Sequence, residues 1–245
     1  YDLFRNSLPY PSGVYDAHLG TTDHAYKCQT CYQDKRSCLG HPGDYDVRYP
    51  LVSPAAAPEA RKWAKLICSK CGNSVVPDET IAKFPVNKRL DEAAKIARQN
   101  VRECPHCRSK HPAIHKDAEE DMLLIADYTD GKITTHSKEI LPHHLAEIFS
   151  RVSNGTVRKL GKPVQSHPAN FLTLCVRVPP TSIRPDVKKI GGGRSTNDYL
   201  TTMLQTIIKL NSLMPLIIPE VVDEKLKTAI FALQNAYYDL IKGTA

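Results

Sequence analysis

The sequence has no uninterrupted apolar run near the roughly 20 residues that a membrane span requires, so no membrane partner is expected. It starts Tyr-Asp-Leu-Phe-Arg, with neither an initiator Met nor a secretory leader, and is read as a soluble piece cut from a longer chain. Two-metal phosphoryl or nucleotidyl transfer needs several carboxylates converging on one point. The acidic candidates are few: Asp44, Asp46 and the run from Asp117 to Asp121, which reads more simply as a solvated loop. A Gly-x-x-x-x-Gly-Lys phosphate loop is missing, and Gly191 to Arg194 reads as a flexible turn before a helix. No nucleophile stands with a base, so the expectation is a chain that is not an enzyme by itself.

What is present is metal chemistry. Seven of the eight cysteines fall in the first 107 residues, and six of those form three Cys-x-x-Cys pairs among polar and turn-forming neighbours. This spacing indicates metal ligation rather than disulfides, and with it a reducing intracellular compartment. Cys28, Cys31, Cys38 and His41 lie within fourteen positions and supply three thiolates and one imidazole. Two residues between ligands let one tight turn present both to a tetrahedral zinc, and four protein ligands leave no vacancy for a reacting water. Cys68, Cys71, Cys104 and Cys107 form a second set, tying together the ends of a long insertion. His106 could replace a thiolate there, but in a Cys-Pro-His-Cys turn it more often points to solvent. Two structural zinc ions are therefore expected. Cys175, in an apolar stretch, reads as core, and His143 with His144 as exposed helix surface.

With 245 residues and 41% hydrophobic content the chain can bury a substantial core. The net charge of +7 favours acidic partners, nucleic acid first. Arg102, Arg108 and Lys110 flank the second cysteine set and are candidate nucleic-acid contacts. Residues 1 to 50 read as loop-rich and metal-organised. Helices are expected at Pro58 to Ile67 and Leu90 to Arg98, and a hairpin from Met122 to Thr135 about an Asp130-Gly131 turn. Ser137 is a candidate cap for a helix through Leu145, Ile148 and Phe149, with Pro142 either in its first turn or delaying its start, and Phe171 to Val178 is a strand candidate. The stripes Met203, Ile207, Leu210, Met214 and Leu226, Ile230, Leu233, Tyr237, Leu240 fit a heptad seam between two antiparallel helices. Pro215 and Pro219 bracket the break, placing Leu216, Ile217 and Ile218 at or near the tip.

Val14-Tyr15-Asp16-Ala17-His18-Leu19-Gly20-Thr21-Thr22-Asp23, then Lys27 to Cys31, then Cys38-Leu39-Gly40-His41-Pro42-Gly43 resembles the opening of the largest subunit of multisubunit RNA polymerases. There the same order builds the first zinc site of the clamp. Cys104 to Cys107 with His111-Pro112-Ala113-Ile114 is similar to the second clamp zinc site, above all in its archaeal form. Phe171 to Asp186 resembles the family's strand leading into Val-Pro-Pro-x-x-x-Arg-Pro, and Ser195 to Thr201 the start of its clamp coiled coil. Pro42 stands where cellular members have Phe, and Asp44-Tyr45-Asp46-Val47 departs from their His-x-Glu-Leu strand, which brings the chain closer to the polymerases of large cytoplasmic DNA viruses.

The resemblance implies an α+β fold with a zinc-binding clamp segment at 1–55, a clamp head with the second zinc at 56–170, and a strand and helical hairpin at 171–245. It implies closure over DNA and the RNA–DNA hybrid during transcription, other polymerase subunits as partners, and transcription factors docking at Leu216, Ile217 and Ile218. The family's catalytic aspartate loop has no counterpart here, so Mg2+ and nucleotidyl transfer are expected from the parent polymerase and not from this segment. Localisation is expected to be cytoplasmic or in the virion for a viral member, and nuclear for a cellular one. The alternative is a free-standing structural zinc module for protein or nucleic-acid binding. In its cross-brace form that module needs interleaved ligand pairs, whereas here the first four ligands are consecutive.

Overall fold

The structure is a computed structural model that describes residues 4–5, 8–116, 124–130, 133–185, 197–217, 219 and 222–243. Its strands are β1 (Phe4–Arg5), β2 (Leu8–Pro9), β3 (Gly43–Val52), β4 (Ala113–Lys116), β5 (Leu124–Asp130), β6 (Ile133–Ile140) and β7 (Leu172–Val178). The α-helices are α1 (Ala57–Leu66), α2 (Asp78–Ala82), α3 (Arg89–Asn100), α4 (Pro142–Ser150), α5 (Asn154–Lys159), α6 (Tyr199–Ser212) and α7 (Glu224–Lys242). The fold is mixed α+β and divides into two compact units, one of Tyr1–Tyr49 with Leu174–Ala245, the other of Pro50–Thr173. No described helix is long and apolar enough to cross a membrane.

In the 50–173 unit, α1 buries Ala57, Ala60, Trp63, Ala64 and Leu66 along one face, and α3 buries Leu90, Ala93, Ala94 and Ala97. The alanines let the two helices approach closely, so both expected helices form and meet each other. β4, β5 and β6 make an antiparallel sheet in which Ile114 faces Ala126 and Leu124 faces Ile140, all four buried. Strands β5 and β6 are the expected hairpin. Met122 and Gly131 lie outside the described residues, as do Asp117 to Asp121 and Gly191 to Arg194.

Two local readings are corrected here. β6 runs on to Ile140, so Ser137 is a strand residue whose hydroxyl donates to Asp127 Oδ1 at 2.6 Å across the sheet. Helix α4 starts at Pro142, where the missing N–H is harmless, and His144 Nδ1 accepts the Leu141 N–H at 3.2 Å. That role needs a neutral ring; burial, then the charges of His143 and Lys138, hold the His144 imidazole down to about 4. His143 and His144 are thus half-buried and not plain surface.

In the other unit β3 pairs with β7. Val176 and Val178 are buried, whereas Leu174, on the same face of the strand, is exposed, and Cys175, on the opposite face, is only half-buried. Cys175 is therefore not a core residue in the full sense expected. Helices α6 and α7 pack against each other, starting at Asp198 and Asp223, whose side chains accept from the N–H groups of Leu200 and Leu226.

The buried stripe of α6 is Thr201, Leu204, Ile207 and Asn211, continued by Met214 just past its end, with Met203 and Leu210 half-buried at its margin. Asn211 explains the rotation from the expected seam: it donates to Tyr45 Oη at 2.9 Å and accepts the Arg48 N–H at 2.8 Å, so α6 faces β3 as well as α7. Arg48 also donates to the carbonyls of Ser212 and Met214, satisfying the C-terminal end of the helix.

Candidate metal centres

All three Cys-x-x-Cys pairs fold into the same turn. The N–H of the first cysteine donates to a carbonyl five residues on, and its own carbonyl accepts from the residue four on: Cys28 with Gln33 and Tyr32, Cys68 with Asn73 and Gly72, Cys104 with Ser109 and Arg108. The residue four on must turn back in the left-handed region, where Tyr32 has φ 58°, Gly72 71° and Arg108 56°. At Gly72 space as well as conformation demands glycine, since a Cβ would lie 2.1 Å from the Arg151 carbonyl oxygen. The fourth turn, Cys38 to His41, bends at Gly40 (φ 88°), whose N–H points at Cys38 Sγ 3.4 Å away.

These turns bring the expected residues together. The ligand atoms of Cys28, Cys31, Cys38 and His41 lie within 4.8 Å of one another, and so do those of Cys68, Cys71, Cys104 and Cys107. Cys68 and Cys107 Sγ atoms are 3.6 Å apart, those of Cys71 and Cys104 3.7 Å, and Cys38 Sγ is 3.7 Å from His41 Nε2. Four thiolates around zinc at about 2.3 Å would stand about 3.8 Å apart, so the donor sets fit a tetrahedral ion of that size. His106 is exposed and stays out of the second set.

The surroundings support each set. The first is threaded by the 16–20 segment: His41 N–H donates to the Leu19 carbonyl, Gln29 N–H to that of Ala17, and the Thr30 hydroxyl to that of His18. In the second, the Ser109 hydroxyl lies 3.0 Å from Cys107 Sγ and 3.2 Å from Cys68 Sγ. The Ser109 hydroxyl and N–H hold the Cys107 thiol down to about 6, whereas burial pushes Cys104 up to about 12. A metal ion would supply the charge that lets the buried Cys104 ionise. Sequence reasoning missed Ser109, and its serine two places after a cysteine was the available signal.

The other candidates among the described residues lie at the surface. Arg102, Arg108 and Lys110 are exposed around the second set, Arg108 fixed by its place in the turn. Asp44 and Asp46 are exposed on β3, with Asp44 paired to Arg177 at 3.2 Å. Leu216 and Ile217 are 79% and 83% exposed; Ile218 lies outside the described residues.

Each set offers four protein ligand atoms that could hold a metal ion, and the two sets follow one another along the chain without interleaving. The chain belongs to the family described as RNA polymerase Rpb1, domain 1, whose model matches residues 2–242. It is 36% identical to a DNA-directed RNA polymerase RPB1 homolog of African swine fever virus (isolate Pig/Kenya/KEN-50/1950), and 35% to that of strain Badajoz 1971, over 98% of this chain. The archaeal subunit Rpo1N of Methanothermobacter thermautotrophicus is 25% identical over 84% of this chain and 24% of its own length. The chain spans 16% of the length of the viral relatives. The family legible in the motifs is the family found, and its viral members share more with this chain than these archaeal ones do.

Proposed function

We propose that this chain is the clamp segment of the largest subunit of a DNA-directed RNA polymerase, closing over DNA and the RNA–DNA hybrid during transcription. The observation that carries the reading is the family match along 2–242 coinciding with two closed ligand sets at the expected cysteines. Zinc is the ion proposed for both, held by Cys28, Cys31, Cys38 and His41 and by Cys68, Cys71, Cys104 and Cys107. Its contribution is rigidity: it locks short loops so that a clamp can swing as a body. In this reading residues 1–55 form the first zinc segment, 56–170 the clamp head, and 171–245 the strand and an antiparallel coiled coil. Mg2+ and nucleotide chemistry belong to the rest of the polymerase, whose other subunits are the partners. The viral relatives favour the cytoplasm or the virion.

Arg102, Arg108 and Lys110 are proposed to face nucleic acid. The test is fluorescence anisotropy of the 245-residue chain with labelled DNA. Binding should be weak, indifferent to sequence, and fall with salt by a log–log slope of about 0.7 to 0.9 per phosphate contacted. Tight, sequence-specific binding that survives physiological salt would contradict the reading.

Leu216, Ile217 and Ile218 are proposed to dock transcription factors. Replacing all three with Ser in the whole polymerase should weaken factor capture while leaving metal content intact. At surface positions such changes cost within about 0.5 kcal/mol each, so melting should shift little. A large thermal loss would instead place the tip in the core.

A further inference from the structure

Along α1 run Arg61, Lys62 and Lys65, and along α3 and the residue before it Lys88, Lys95 and Arg98. Between the two helices lies an open groove of about 490 Å3, floored by the small, buried Ala94. Two carboxylates line it and both are engaged: Asp91 holds Lys62 at 2.5 Å and Glu92 holds Lys95 at 2.8 Å. Lys65, Lys88 and Arg98 also line the groove, and none has an acidic partner among the described residues.

Lys65 is half-buried, and burial, then the charges of Arg98 and Arg61, push its ammonium below the usual range. The backbone at its root is held, because the His111 ring bonds the Lys65 carbonyl at 2.8 Å. A helix C-terminus favours one cation in its last turn, which accounts for Lys65 or Arg98 singly. It does not account for both converging on one groove with Lys88 beside it.

The shape of the charge selects the ligand. From Lys88 to Arg98 is about 15 Å along the helix, the axial rise of about four nucleotides of one strand at about 3.4 Å each. A single small anion would not need that span. An acidic protein segment would want apolar anchors to seat in pockets, and the groove offers only Ala94. We propose that the α1–α3 groove binds the phosphate backbone of a nucleic acid through Lys65, Lys88 and Arg98, without reading its sequence. The proposal rests on the clamp reading for the presence of nucleic acid, and adds contact residues other than Arg102, Arg108 and Lys110.

The test compares four forms of the 245-residue chain against labelled short single-stranded and duplex DNA: wild type, Lys65→Gln/Lys88→Gln/Arg98→Gln, the exposed pair Lys88→Gln/Arg98→Gln, and the rim control Arg102→Gln/Arg108→Gln/Lys110→Gln. The groove triple should bind about tenfold or more weakly at about 50 mM salt, with its salt slope reduced by about 2 to 3. The pair, which touches no buried group, should lose part of the same binding with unchanged melting.

Groove variants that bind like wild type while the rim control fails would overturn the groove and leave the clamp reading standing. A wild type that binds neither DNA would overturn both. Displacement by polyglutamate at lower charge concentration than by unlabelled DNA would overturn the groove in favour of an acidic protein.

Discussion

The Cys104→Ser variant is expected to carry one metal ion where the wild type carries two, and to melt more than about 10 °C lower. Cys104 is fully buried, and its Sγ stands 3.7 Å from that of Cys71. Cys68 and Cys104 belong to the same apolar cluster as Trp63 and Phe149, so this ligand set is part of the core of the 50–173 unit. The segment between Cys71 and Cys104 contains α2 and α3, and the metal would close it as a loop.

Structural zinc contributes about 10–16 kcal/mol to folding in small zinc modules, comparable to the whole stability of an ordinary domain at about 5–15 kcal/mol. Three remaining ligands bind far more weakly, and most of that contribution is lost. The Cys28 set should keep its ion, so elemental analysis reads one per chain and not none. Two ions per chain with unchanged melting in Cys104→Ser would remove the second assignment.

The metal sets were legible because each Cys-x-x-Cys turn is a local device, closed by hydrogen bonds within six residues. Helices α1 and α3 were legible for a similar reason, since one apolar stripe states a helix wherever it packs. What depended on distant partners was not. Residues 43–50 fell in the stretch read as loop-rich for its closely spaced Gly, Pro, Asp and Thr; Tyr45, Val47, Tyr49 and Leu51 do alternate with polar residues and Pro50, and with β7 as partner they belong to the ten-residue strand Gly43–Val52. The α6 stripe was displaced by Asn211, a polar residue that no hydrophobic pattern would include and that is buried for its bonds to β3. His144 was hidden because a histidine accepting the N–H of the residue that caps its own helix does what a glutamate or glutamine usually does at that position. The α1–α3 groove needs two helices from separate stretches brought face to face. Charge counts along the chain cannot show that.

Arg184 is the strongest case of a role that composition conceals. In the sequence it is one arginine before a proline in an irregular stretch; in the fold its side chain is wholly buried. Its Nε donates to the Pro179 carbonyl at 3.0 Å, Nη1 to Thr201 Oγ1 at 3.2 Å, and Nη2 to the Val14 carbonyl, while the guanidinium lies 5.2 Å from the centre of the Tyr15 ring. One side chain thereby joins the segment before the first ligand set, the turn after β7, and the first turn of α6.

Replacing a buried charge with an apolar residue often costs nothing, because the charge no longer has to be desolvated. The acceptors decide otherwise here. In Arg184→Met the buried carbonyl of Val14 and the half-buried one of Pro179 lose their donor, at about 1–3 kcal/mol each. The net loss should be about 3 kcal/mol, read as a lower urea midpoint at unchanged slope. Arg184→Lys should recover little of it, since an ammonium on a flexible stem cannot reach three acceptors at fixed angles and stack on Tyr15 as well. A lysine variant as stable as the wild type would show that charge alone suffices at this position and that the bonding geometry does not matter.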